Sequence, residues 1–311
     1  QMRSTTRGRL AAAMLAVALG CSESVGESVV SSVLDSLPAD SAEAQTGPAG
    51  DQSPLALGAC PDTIYVAEAG EMPQYNTVAD GHVEVLGAQP TPRHVHLPWT
   101  GAPDTTATLL WRTDSQTLGS TVQFGLSPDF GTEVYGASFL VDGADSIPRV
   151  HEVRLCGLSP DTTYYYRVGV EGAFSPGYSF TTGPPPGNRS PTVFLASGDS
   201  RDSPGTWRKI MSAADANGAE FRIFTGDAVA TGSNVEEWDE WFDAGTGFAE
   251  SVPTIMGHGN HEYYAQAYFA LHGMPGNERY FSFDYGNMHF VALDDEVYGD
   301  EAWQAQADWL A

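Results

Sequence analysis

The chain changes its hydrophobic period once, at Gly183-Pro184-Pro185-Pro186-Gly187, and this switch limits the available folds more than any other feature. Before it, short runs with strand-like alternation recur: RHVHL (93–97), TATLLWRT (106–113), TVQFGL (121–126), HEVRLCGL (151–158), TTYYYRVGV (162–170) and YSFTT (178–182). Turn residues separate them, which predicts an all-β sandwich over 91–183. After the stiff proline boundary come TVFLAS (192–197), FRIF (221–224) and VPTIM (252–256), apolar runs without alternation. Such runs predict strands buried on both faces. A helical pattern at 204–217 and another after Asn234, capped with Glu237, alternate with them. Together they predict a layered α/β domain over 184–311. YFSFDYGNMHFVAL (280–293) reads as a hairpin turning at 285–287, and 301–311 as the start of a helix.

The first 90 residues read differently. Arg3, Arg7 and Arg9 precede an apolar stretch from Leu10 to Gly20 that is too short for a membrane span. It ends at Cys21. Residues 1–21 therefore read as an export signal, either of the bacterial lipoprotein type, with Cys21 lipidated, or an ordinary cleaved one. The protein is expected to be exported, to the cell envelope on an N-terminal lipid anchor or into the medium. Residues 22–90 read as a flexible tether and a segment before the first domain. Cys60 and Cys156 form an even pair that an oxidising compartment could join, or two unpaired thiols; sequence spacing does not decide.

The 311 residues carry 40 acidic and 14 basic side chains, a formal net charge of −26. Such a surface repels a polyphosphate backbone and argues against nucleic acid as a partner. A small phosphate ester is still admissible, because a bound cation dominates the field close to it.

Each of the three apolar runs after residue 184 ends in a polar cluster: Gly198-Asp199-Ser200-Arg201-Asp202, Gly226-Asp227, and Gly257-His258-Gly259-Asn260-His261-Glu262. Ligands of α/β sheets gather where strands end. Carboxylates, an amide and imidazoles gathered there suit hard divalent cations, or iron and zinc. A single Gly-Asp is also a common turn; three clusters in order, each after an apolar strand, form a more specific pattern.

The series GD, GD about 28 residues on, GNHE and then YFSFDYGNMHFVALD resembles the calcineurin-like metallophosphoesterase superfamily. LSPDTTYYYRV (158–168) resembles the tyrosine-corner region of a fibronectin type III domain, in which a tyrosine hydroxyl bonds back to upstream backbone. A fibronectin-like domain running into Thr181-Thr182-Gly183-Pro184 narrows the resemblance to purple-acid-phosphatase-like members, over roughly residues 90–311. The resemblance implies two metal ions (iron, zinc or manganese). Asp199 would bind the first, Asp227 would bridge both, and Asn260 would bind the second. His261 would stabilise or protonate the phosphate. The implied reaction is hydrolysis of a small phosphate monoester by a metal-activated water. A phosphodiesterase or nucleotidase of the same superfamily is a further possibility.

Two departures from the family pattern stand out. Ala230 occupies the position of the tyrosine that gives purple phosphatases their colour, and Arg201 the position where other members of the superfamily carry a histidine. No purple colour is expected. Arg201 reads either as a clamp on a phosphate oxygen or as the ion-pair partner of Asp202 or another carboxylate. The later V-x-x-H and G-H-x-H stretches of the family are missing, and no histidine follows His289. The chain is therefore expected to be cut short at its C-terminus and inactive alone. The contrasting reading is a cell-surface binding or adhesion module with a degenerate phosphoesterase domain. His94-Val95-His96 reads as a plain strand, Asp294-Asp295 as a structural turn, His258 as a loop hydrogen-bonder, Trp238 and Trp241 as core, and His289 as a packed strand residue.

Overall fold

The computed structural model describes residues 77–140 and 149–311, and the backbone alone of 13–16, 65–66 and 75–76. Cys21, Cys60 and the tether over 22–58 lie outside the described residues. So do the side chains of the apolar stretch before Cys21.

Two antiparallel sheets form the first unit. One has the order β1 (Tyr75–Val78), β6 (Ala137–Leu140), β7 (Arg149–Cys156), β3 (Thr106–Thr113), β2 (Arg93–His96). The other runs β9 (Ala173–Phe174), β8 (Thr163–Val170), β4 (Thr121–Gly125), β5 (Thr132–Tyr135), with β10 (Tyr178–Thr181) also on β8. Leu109, Trp111, Val153 and Leu155 from the first sheet meet Val122, Phe124, Tyr164, Tyr166 and Val168 from the second in one buried cluster. The unit is thus a β-sandwich, as its alternation predicts. Tyr164 is the corner tyrosine: its hydroxyl accepts the Ser159 N–H at 2.9 Å. Cys156, at the end of β7, is disulfide-bonded.

Past the prolines, β11 (Phe194–Ser197), β12 (Phe221–Phe224) and β13 (Thr254–Met256) pair in parallel in that order. Helix α1 (Pro204–Ala216) links the first two strands and α2 (Val235–Gly245) the next two. Parallel neighbours need such crossovers. Asn234 caps α2, accepting from Glu236 N–H, while its own amide donates to Glu237. Trp238, Trp241 and Phe242 lie buried on one face of α2, and Trp241 stacks on Trp207 of α1. The central strand β12 is buried throughout, including Arg222, whose guanidinium reaches the carbonyls of Phe248 and Val252. β11 departs from expectation: it is half-exposed, whereas β13, the other edge of this sheet, is mostly buried.

A short helix α3 (Gln266–His272), the hairpin β14 (Phe281–Tyr285) and β15 (Met288–Ala292), and α4 (Asp300–Leu310) complete the described fold. Gly286 makes the hairpin turn with φ 59°, which a residue with a Cβ resists. The backbone at Ala13–Ala16 runs parallel beside β15, and Tyr65–Val66 pairs with β14. A chain processed at Cys21 would lack the first of these strands.

The two units are joined by specific bonds. Leu97 accepts from Thr254 N–H at 2.9 Å, the Tyr166 hydroxyl donates to the Glu250 carbonyl at 2.7 Å, and buried Arg112 pairs with Asp239 at 2.8 Å. His94 and His96 belong to this seam. His94 Nε2 lies 2.9 Å from Asp243, and the two ring nitrogens of His96 face the carbonyls of His94 and Leu271. The His-Val-His run is structural.

Candidate active site

The three polar clusters leave one edge of the parallel sheet. Ladder hydrogen bonds run on past the strands: Thr225 N–H to Ser197, Asp199 N–H to Gly226, and Gly257 N–H to Phe224, all within 2.9 Å. Asp199 and Asp227 both adopt left-handed backbone, with φ of 55° and 58°. Aspartate tolerates that region better than most residues, yet such conformations cost about 1–3 kcal/mol and collect at functional sites.

Arg201 ties the first two clusters together. Its Nε lies 3.1 Å from Asp199 Oδ1, and its Nη1 lies 2.7 Å from Asp227 Oδ2. Its backbone N–H also bonds the Asp227 carbonyl at 3.2 Å. Asp199 keeps 60% of its side-chain surface exposed, whereas Asp227 has none. The two aspartates therefore converge on one guanidinium. Arg201 is thus ion-paired with Asp199 and Asp227 instead of Asp202.

Glu262 ties the second and third clusters, a role the sequence reading did not assign. Its buried carboxylate accepts N–H bonds from Asp227, Ala228 and Gly259 at 2.8–2.9 Å. Burial pushes its pKa up, against the pull of those three donors. Gly259 must be glycine here, since a Cβ would lie 2.4 Å from Asp227 Oδ1 and 2.5 Å from Asp227 N. The turn it makes delivers His261 N–H to Asp227 Oδ1 at 3.0 Å. His261 Nδ1 lies 2.7 Å from the Ala230 carbonyl, an acceptor only, so Nδ1 carries the proton and Nε2 is left for other partners. Asn260, half-buried, lies between Gly259 and His261 on the same turn.

His258 closes one flank. It is buried and stacks on Tyr264, and its Nε2 accepts the Tyr264 N–H at 2.9 Å. Burial pushes the ring down to about 4, opposed by the negative charge of Asp294. Asp294 is held by Arg279 at 2.6 Å and by the Tyr264 hydroxyl, which fits the structural turn expected of it. The next carboxylate, Asp295, is pushed up by burial and by the charges of Asp294 and Asp227. The loop after β15 thus adds negative potential to the site.

Residues 92–182 match the family described as purple acid phosphatase, N-terminal domain. Purple acid phosphatase 21 of Arabidopsis thaliana is 27% identical over 241 residues, 70% of this chain and 52% of that protein. Purple acid phosphatase 15 of the same plant is 27% identical over 245 residues, 63% of this chain and 46% of its own. The chain is purple-acid-phosphatase-like. It spans about half the length of these curated relatives. Among solved structures, the purple acid phosphatase PPD1 from yellow lupin seeds superposes with a TM-score of 0.57 at 20% identity, covering 71% of this chain and 48% of that one. A structure of PhoD follows at 0.52 and 15%, covering 67% and 53%. These two likenesses show a shared fold.

Against the purple-acid-phosphatase pattern, Ala230 has no side-chain donor to offer a metal ion, but its backbone serves the site. Its carbonyl holds His261, and its N–H bonds Glu237 at 2.7 Å. The side chains present do not fit a two-ion centre. The facing oxygens of Asp199 and Asp227 are engaged by Arg201, and the other Asp227 oxygen accepts from His261. Among the described residues, no group of three or more histidine, cysteine, aspartate or glutamate side chains is placed to hold an ion.

Proposed function

We propose that this chain is part of an exported phosphoric ester hydrolase, acting on small phosphate monoesters at the C-terminal edge of the β11–β13 sheet. The observation that carries this reading is the convergence of Asp199, Asp227 and the Asn260-His261 turn, delivered by three consecutive parallel strands and locked by Arg201 and Glu262. In this reading the α/β unit is of the calcineurin-like metallophosphoesterase type. The family resemblance implies metal ions of the iron, zinc or manganese kind, which would activate water. Asp227 and Asn260 would hold such an ion; Asp199 is committed to Arg201.

The chain's own residues do the following. The guanidinium N–H groups of Arg201 not turned to Asp199 or Asp227 attract a phosphate oxygen. The Ala230 carbonyl fixes the tautomer of His261, so that Nε2 exchanges a proton with the ester oxygen. Glu262 and Gly259 keep that imidazole in register with Asp227. The disulfide at Cys156 supports an oxidising compartment and hence export, on a lipid at Cys21 or free of the membrane.

The test is turnover of a chromogenic phosphate monoester by the protein at its full natural length, with manganese, zinc and iron supplied singly and in pairs. His261→Ala should lower kcat by about 10²–10⁴-fold. No turnover under any of these conditions would overturn the reading. The Arg201 ion pair favours one alternative, a surface module that binds phosphate esters without cleaving them. It predicts saturable phosphate binding, unchanged in His261→Ala, with no product.

A further inference from the structure

We propose that the Arg201 guanidinium stands in for one of the two cations of such a centre, so that the site takes at most one metal ion. The inference rests on reading the site as a phosphoesterase centre. Its basis is charge placement. A bridging carboxylate in a two-ion site offsets the repulsion between the ions. Here Asp227, with no exposed surface, turns one oxygen to a permanent cation at 2.7 Å, and that same cation lies 3.1 Å from Asp199. The positive charge bridging these two aspartates is therefore covalently part of the chain.

Three features make the substitution permanent. Arginine does not deprotonate in proteins, so it cannot turn into a ligand as histidine does by losing its proton. Main chain and side chain of Arg201 both bond Asp227, so the guanidinium is anchored at both ends. Ala230, at the other position from which the family draws a ligand, supplies no side-chain donor. An incoming divalent ion would have to displace a fixed like charge and find its remaining ligands elsewhere. The Asp227–Asn260 side lacks that obstacle and is where a single ion would bind.

The experiment counts ions. The protein at its full natural length is dialysed against Mn(II), its metal content is measured by mass spectrometry, and its EPR spectrum is recorded. The wild type should hold no more than one ion per chain, seen as an isolated six-line signal or none. Arg201→His, which restores an Asp-x-His run, should hold one ion more than wild type. If both ion positions are then filled, the spectrum should show exchange coupling. Two ions, or an exchange-coupled pair, in the wild type would overturn the proposal. A folded Arg201→His protein with unchanged metal content would also overturn it. If that variant does not fold, the wild-type count decides alone. Monoester turnover on the same samples separates the two readings. Two ions with turnover sinks the stand-in and keeps the hydrolase; one ion fewer than Arg201→His, with no turnover in either, does the reverse.

Discussion

Arg201 Nη1 lies 2.7 Å from Oδ2 of Asp227, a carboxylate with no exposed surface. Removing one partner of a buried pair leaves an uncompensated charge, which costs more than the pair's net worth. Arg201 keeps about a quarter of its side-chain surface in water, so solvent relieves part of that cost. Arg201→Met should destabilise the protein by about 1–3 kcal/mol, read from the urea midpoint in the presence of a chelator. Added manganese should recover stability in this variant more than in wild type. A midpoint equal to wild type in the chelator would show that the pair is not formed in solution.

Glu262 serves two clusters at once, and its substitution should show that locally. Glu262→Gln replaces one acceptor oxygen by an N–H₂ group facing backbone donors at Asp227, Ala228 and Gly259. A loss of about 2–3 kcal/mol is expected for buried donors left without acceptors. Amide hydrogen exchange should speed at residues 227, 228 and 259 and stay unchanged in the sandwich core. Uniform acceleration through both units would mean that Glu262 supports the whole fold and does not staple the site.

Glycine substitutions divide by what a Cβ would meet. At Gly259 it would collide with the backbone nitrogen of Asp227, which cannot swing aside. Gly259→Ala should cost about 1–3 kcal/mol and displace His261. At Gly205, in the first turn of α1, a Cβ meets nothing within 4 Å. Gly205→Ala should be neutral or stabilise by about 0.4–1 kcal/mol by restricting the unfolded chain. Thermal melts of the two variants side by side check the contrast.

The contrast between these glycines also marks what the sequence could disclose. The order of Asp199, Asp227, Asn260 and His261 along the sheet edge was readable because each follows a local apolar run. Hairpin and cap were readable because Gly286, Asn234 and Glu237 act within a few residues of themselves. Glu262 was not, since two of its three donors lie 34 and 35 residues away and no local pattern announces them. Arg201 gave two readings because its partners depend on how β11 and β12 pair. α3 was missed because it is seven residues long and its N-cap residue, Ala265, has no side chain that can cap. The expectation of burial on both faces failed for β11, since apolar composition does not tell which faces of a strand other elements cover.

Acid should weaken the seam between the two units. Burial pushes His94 down to about 3 and His96 to about 4, and drives buried His272 well below its ordinary range. Arg112 adds to each shift, and Arg93 adds to that of His94. Asp239 opposes the shift of His94, and two carbonyl hydrogen bonds oppose that of His96. In the unfolded chain these rings take a proton near 6.5; in the fold His94 refuses it until about 3 and His96 until about 4. Between those values the unfolded state holds more protons, so stability rises with pH and is lost as pH falls from about 6.5 toward 4. Calorimetry should show the melting temperature dropping across that window. His96→Gln, which cannot be protonated and still offers an amide to the Leu271 carbonyl, should flatten the drop. A melting temperature independent of pH between 6.5 and 4 in the wild type would mean that these histidines are hydrated in solution and that the seam is not closed as described.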